Sequence, residues 1–136
     1  MEDYVTFEQA QRVKELGFDW KCNHYYQDND KSFHQNFYEN HSKHSRMRYK
    51  EDNTFIKVTL CSAPTLSQAQ KWLREVKKEH IIVCLDRWVT NKPYRFDLYQ
   101  EFGEELYGQC VVNDFQTYEE ALSAGISAAL KSIENG

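Results

Sequence analysis

One five-residue pattern recurs in this chain: TFEQA at residues 6–10, TLSQA at 65–69 and TYEEA at 117–121. Each is a Thr, a large apolar residue, any residue, Gln or Glu, then Ala. In such a capping box the Thr hydroxyl accepts from an amide of the first helical turn, and the Gln or Glu reaches back to the Thr amide. Each cap is worth about 1 kcal/mol to the helix it starts. The first helix, residues 7–16, sets Phe7, Ala10, Val13 and Leu16 near one stripe and runs into Gly17, a natural C-terminal stop. The second, from Leu66 to about residue 79, gathers Leu66, Ala69, Leu73 and Val76 on one face with Trp72 beside them. Gln70, Lys71, Arg74, Lys77 and Lys78 fall on the other side. The third, from Tyr118 to about residue 133, turns Leu122, Ile126, Ala129 or Leu130, and Ile133 inward. Ala121, Ala124, Gly125 and Ala128 form a strip of small residues that lets a neighbour approach closely.

Between these helices the apolar period changes from 3.6 to two. Residues 54–61 place Ile56, Val58 and Leu60 on one face. Residues 81–89 place Ile81, Val83, Leu85 and Val89 on one face and Ile82, Cys84, Asp86 and Trp88 on the other. The turn sequence Thr90-Asn91-Lys92-Pro93 leads to residues 94–100, where Phe96 and Leu98 alternate with Arg95, Asp97 and Tyr99. A loop around Gly103 then opens a strand over 106–112. The expected fold class is α+β: an antiparallel β-meander with two helices on one face, an α-β-β-β-α core over about 65–134, plus an N-terminal helix and extra strands. Residues 21–52 are the least regular, with strand fragments at 22–26 and 46–49 and a turn at 28–31. The whole is read as a single domain, with 1–53 an N-terminal segment and 54–136 the α+β core.

Composition supports a folded chain. Of 136 residues, 40% are hydrophobic and 15% aromatic, with only five Gly and two Pro. A net charge of −4 argues against a general nucleic-acid coat or a basic membrane-surface protein. No apolar run approaches the roughly 18 residues of a membrane span, and the first residues lack a signal peptide's charged and apolar regions. Cys22, Cys61, Cys84 and Cys110 are dispersed without a CxxC pair, as free thiols in a reducing cytoplasm would be. Charge is uneven: residues 53–90 sum to +3 and 91–136 to −5.

Three chemistries bear on these residues. Cys22, His24, His34, His41 and His44 share one segment, and Cys22-x-His24 and His41-x-x-His44 are close pairs of the kind that zinc sites use. Their spacing matches no zinc-finger pattern and their neighbours are solvating, so exposed histidines are the expectation, with no metal and no cofactor. Lys43, Arg46, Arg48 and Lys50 form a basic run around Tyr49, a weak candidate for nucleic-acid binding. The α-β-β-β-α order is similar to that of the double-stranded RNA-binding domain. That domain, however, grips phosphate with lysines where this chain has Tyr118, Glu119 and Glu120. No GxSxG, P-loop, GxGxxG or HExxH is present, and no enzyme is expected.

The aromatic surplus is the more informative signal: twenty Phe, Tyr and Trp against twenty-two Leu, Ile and Val. Trp88, Tyr99 and Tyr107 are expected on the sheet face away from the two later helices. There they form either a second core layer under the N-terminal segment or a binding surface for a protein partner or a second copy.

SAPTLSQAQKWLREVKKEHIIVCL at 62–85 and TYEEALSAGISAALKSI at 117–133, with the T-x-E-Q-A helix running into Glu15-Leu16-Gly17-Phe18, resemble small uncharacterised proteins of Bacteroidetes genomes and their phage-like or mobile elements. The LSQAQKWLREV block carries most of that resemblance. It implies a bacterial or phage-derived cytoplasmic protein and transfers no catalytic residue. The functional expectation is a small non-enzymatic domain that binds another macromolecule, in the first place a protein. The alternatives are a nucleic-acid-associated protein using residues 43–50, or a ligand- or metal-dependent one using the histidine-rich segment.

Overall fold

The three Thr caps form in the computed structural model, which describes residues 3–27, 30–40, 45–49, 55–85, 91–110 and 114–135. Thr6 Oγ1 accepts from Gln9 N at 3.2 Å and Gln9 Oε1 accepts from Thr6 N at 2.9 Å, a complete capping box for α1 (Phe7–Glu15). Thr65 Oγ1 accepts from Gln68 N at 3.1 Å at the start of α2 (Leu66–Val76). Thr117 Oγ1 accepts from Glu120 N at 3.1 Å at the start of α3 (Tyr118–Asn135). α1 ends as Gly17 predicts. With φ +96 it supports a Schellman closure, Phe18 N donating to Val13 O at 2.9 Å and Gly17 N to Lys14 O at 3.1 Å.

The chain divides into two compact units, Tyr4–Pro64, and Thr65–Gly136 together with Met1–Asp3. The first holds α1 and the strands β1 (Cys22–Gln27), β2 (Phe33–Asn40), β3 (Ser45–Tyr49) and β4 (Phe55–Ser62). They form an antiparallel sheet in the order β2-β1-β4-β3. The strand expected over 54–61 is β4, which pairs with β1 and β3. β2 is an extra strand within the irregular stretch 21–52, beyond the fragments expected at 22–26 and 46–49. α1 packs against this sheet. Phe7 meets Tyr26 edge to face at 5.6 Å, Tyr26 Oη donates to Val5 O at 2.6 Å, and Lys14 Nζ donates to Leu60 O at 3.2 Å.

The second unit holds α2, β5 (Glu79–Leu85), β6 (Tyr94–Phe102), β7 (Glu105–Cys110) and α3. The sheet order β5-β6-β7 is a simple antiparallel meander, and α2 and α3 pack on it. The fold is α+β with the expected α-β-β-β-α core. Ile81 lies opposite Leu98 and Val83 opposite Phe96; Ile81, Phe96 and Leu98 are buried with Leu66, Ala69 and Leu73 of α2. α3 adds a continuous stripe of Ala121, Leu122, Gly125, Ile126, Ala129 and Leu130. Gly125 is the closest approach. A Cβ there would stand 2.5 Å from Ile81 Cγ2 and 3.3 Å from Phe96 Cδ2, so the helix reaches the sheet only because that position has no side chain. Two residues expected inward, Val76 at the end of α2 and Leu85 at the end of β5, are exposed, each at an element terminus.

Candidate interaction surface

The register of β7 on β6 follows from the tightest turn of the meander. β6 and β7 are joined by Gly103-Glu104, with Gly103 at φ +64 in the first position, the order that a type II′ hairpin turn requires. That two-residue loop pairs Phe102 with Glu105, Gln100 with Tyr107 and Tyr99 with Gly108. The register corrects the expectation for the aromatics. Tyr99 lies on the face away from the helices, whereas Tyr107 lies on the helix side, opposite Gln100. A shift of one residue in the assumed turn exchanges the two faces, and the sequence alone left the turn length open. Trp88, the third of these candidates, lies outside the described residues.

Two surfaces result. On the face away from the helices, Tyr99 covers Gly108: a Cβ at 108 would fall 2.4 Å from the Tyr99 Cε1. With His80, Ile82 and Leu106, Tyr99 lines a shallow, mostly apolar depression of about 140 Å³. His80 Nε2 stands 2.5 Å from Glu101 Oε1 on the same face. Cys84 Sγ lies 3.5 Å from Asp97 Oδ2; burial first, and then Asp97, push its thiol above the ordinary range. His80 and Cys84, four residues apart on one strand, are separated by about 13 Å, and a thiol held protonated is a poor nucleophile. They do not make a thiolate–imidazole pair.

On the helix side, α3 lies over β5 and β6, and Tyr107 of β7 remains exposed. An open cleft of about 290 Å³ runs between Leu98, Gln100, Tyr107, Gly108 and Ser132. Gln100 Nε2 donates to Glu79 Oε1 at 3.1 Å and also to Ser132 Oγ. Glu79 is buried, its second oxygen has no hydrogen-bond partner, and burial holds its carboxyl above the ordinary range against the opposing pull of Gln100 and His80.

β7 is one of the two edge strands of this sheet, β5 being the other, and pairs, among the described residues, only with β6. Its register is regular, without a bulge, and it contains neither Pro nor Lys, two of the devices by which sheet edges are protected. Phe102 (61% exposed), Leu106 (62%) and Tyr107 (55%) put apolar area around this edge on both faces of the sheet, and Ile82 (49%) continues it on the outer face.

Arg46 and Arg48 lie in β3, an edge strand, opposite Val58 and Ile56 of β4; Lys43 and Lys50 lie outside the described residues. His24 stacks on Phe33 at 5.0 Å and meets Tyr4 at 4.4 Å, while His34 stacks on Tyr25 at 5.3 Å and its Nε2 is 2.6 Å from Ser32 Oγ. These two rings are engaged in packing around the β1–β2 hairpin. His41 and His44 lie outside the described residues, among which no group of three or more His, Cys, Asp or Glu is placed to hold a metal ion. No described helix is long and apolar enough to cross a membrane. No family model matches the chain, and no curated protein or solved structure matches it either.

Proposed function

We propose that this chain is a non-enzymatic protein-binding module that receives an extended segment of its partner along β7. The observation that carries the reading is the regular edge that β7 leaves unpaired among the described residues, with Phe102, Leu106 and Tyr107 exposed about it. Unpaired backbone groups on an edge strand supply hydrogen bonds to an added strand, and side chains on alternate faces supply selectivity. On the outer face the added strand would bury Leu106 and Tyr99 beside the depression that they line with Ile82; on the helix side it would close the cleft at Tyr107. In this reading the setting is a bacterial cytoplasm, which the resemblance of the 62–85 and 117–133 segments implies.

The test uses an extended, end-capped peptide of alternating Val and Thr against the full-length chain. Binding is expected to shift the β7 amides in NMR spectra. It should be lost when the peptide backbone is N-methylated on its pairing edge, and weakened about tenfold by Leu106→Lys, which sets an edge-protecting charge beside the ladder. Unchanged affinity after N-methylation refutes strand addition.

A second reading, nucleic-acid association through Lys43, Arg46, Arg48 and Lys50, is favoured by the position of Arg46 and Arg48 on the edge strand β3. Retention on RNA or DNA at moderate ionic strength, abolished by replacing Arg46 and Arg48 together, is its test.

A further inference from the structure

We infer that the segment received by β7 is basic at the end that meets the turn between β6 and β7: an extended stretch with lysine or arginine there and apolar residues beyond. The inference rests on strand addition to β7 and adds the chemistry of the partner. From Phe102 to Cys110 the chain holds Glu104 and Glu105 and neither Lys nor Arg. Both carboxylate residues are exposed. Tyr107 Oη donates to Glu105 Oε2 at 2.5 Å, which ties the Glu105 carboxylate to the edge strand at the end where an added segment starts or finishes. Glu101 lies beside the same turn and is already engaged by His80.

The field of the whole unit has the same sign. Residues 1–3 and 65–136 hold 8 basic against 13 acidic residues, a net of −5, whereas residues 4–64 hold 9 against 8. A strand approaching β7 is therefore selected for positive charge before it pairs. A second copy of this chain is the poorer occupant. It would bring the same Glu104 and Glu105 and no cation from its own β7 to face them. Lysine or arginine in the cross-strand positions answers both carboxylates. Because every strand pair in this sheet is antiparallel, the basic residues belong at the C-terminal end of the added segment.

Two eight-residue peptides of alternating Val and Thr, capped at both ends, test this; one carries two Lys at its C-terminal end and the other two Glu. Titrated against the full-length chain, the lysine peptide is expected to bind about fivefold or more tightly, with shifts in the β7 amides. That advantage should disappear in the double variant Glu104→Gln, Glu105→Gln, and shrink in about 0.5 M salt. Both substitutions are at exposed positions, and an unchanged urea midpoint shows that the fold is intact. Equal affinity of the two peptides with shifts in β7 overturns the charge inference and leaves strand addition standing. Absence of β7 shifts with either peptide overturns both. Dimerisation of the chain alone, abolished by Leu106→Lys, assigns the edge to a second copy and also overturns the inference.

Discussion

Gly125→Ala tests the packing that supports the meander. The added Cβ would stand 2.5 Å from Ile81 Cγ2 and 3.3 Å from both Phe96 Cγ and Cδ2. An ordinary contact needs roughly 3.5 to 4.0 Å, so Ile81 must yield by about 1 Å. Its Cγ2 sits on a β-branched carbon with a stiff χ1 and cannot swing away as a long side chain would. Overpacking of this kind costs about 1 to 3 kcal/mol. Alanine in a helix interior returns up to about 1 kcal/mol relative to glycine. The net expectation is a loss of about 1 kcal/mol in the native background. Ile81→Ala removes the clashing methyl, at its own cost of about 2 to 5 kcal/mol. In that background only the 3.3 Å contacts to Phe96 oppose the helical gain, and they need a shift of about a few tenths of an ångström, so Gly125→Ala should stabilise by up to about 1 kcal/mol. Urea denaturation of the four members of the cycle, followed by far-UV circular dichroism, reads the coupling, expected near 2 kcal/mol. The same effect of Gly125→Ala in both backgrounds would refute the direct approach of α3 to β5.

Three further perturbations address other parts of the molecule. Burial raises the Glu79 carboxyl above its unfolded value, so the folded state holds its proton more tightly. The stability associated with the neutral form is full below the unfolded value and is lost as pH rises through the folded one. Glu79→Gln should therefore stabilise by about 1 kcal/mol at pH 7, with the advantage vanishing in acid, as thermal melts at a series of pH values would show. Thr6→Ala removes the complete capping box of α1 and is expected to cost about 1 kcal/mol, largely recovered in Thr6→Ser, measured by urea denaturation. Tyr26→Phe leaves Val5 O without the hydroxyl that donates to it at 2.6 Å, and the same assay should show a loss of about 1 kcal/mol.

What the sequence made legible was local. Thr6, Thr65 and Thr117 announced their helices because a cap is a contact between residues three apart. The alternation of Ile81, Val83, Phe96 and Leu98 gave the meander because a half-covered sheet imposes a period of two. The difficulties were pairings at a distance. Ile56, Val58 and Leu60 alternate clearly, yet alternation names no partner, and β4 joined β1 and β3 rather than β5. The β2 sequence FHQNFYEN shows no regular apolar alternation, so nothing local marks the bounds of this edge strand. Tyr107 changed faces because one residue in a turn decides the parity of everything after it. The candidate surface was hidden for a related reason: Leu106 and Tyr107 look like ordinary strand residues until the sheet order shows that nothing described lies beyond them.

Amide hydrogen exchange along residues 102–110, with and without the lysine-tailed peptide, tests strand addition to β7 most directly. The account predicts that alternate β7 amides, those facing away from β6, exchange freely in the chain alone and are slowed at least tenfold on binding, while β3 is unaffected. Protection of those amides before any peptide is added, or slowing on β3 instead, would contradict it.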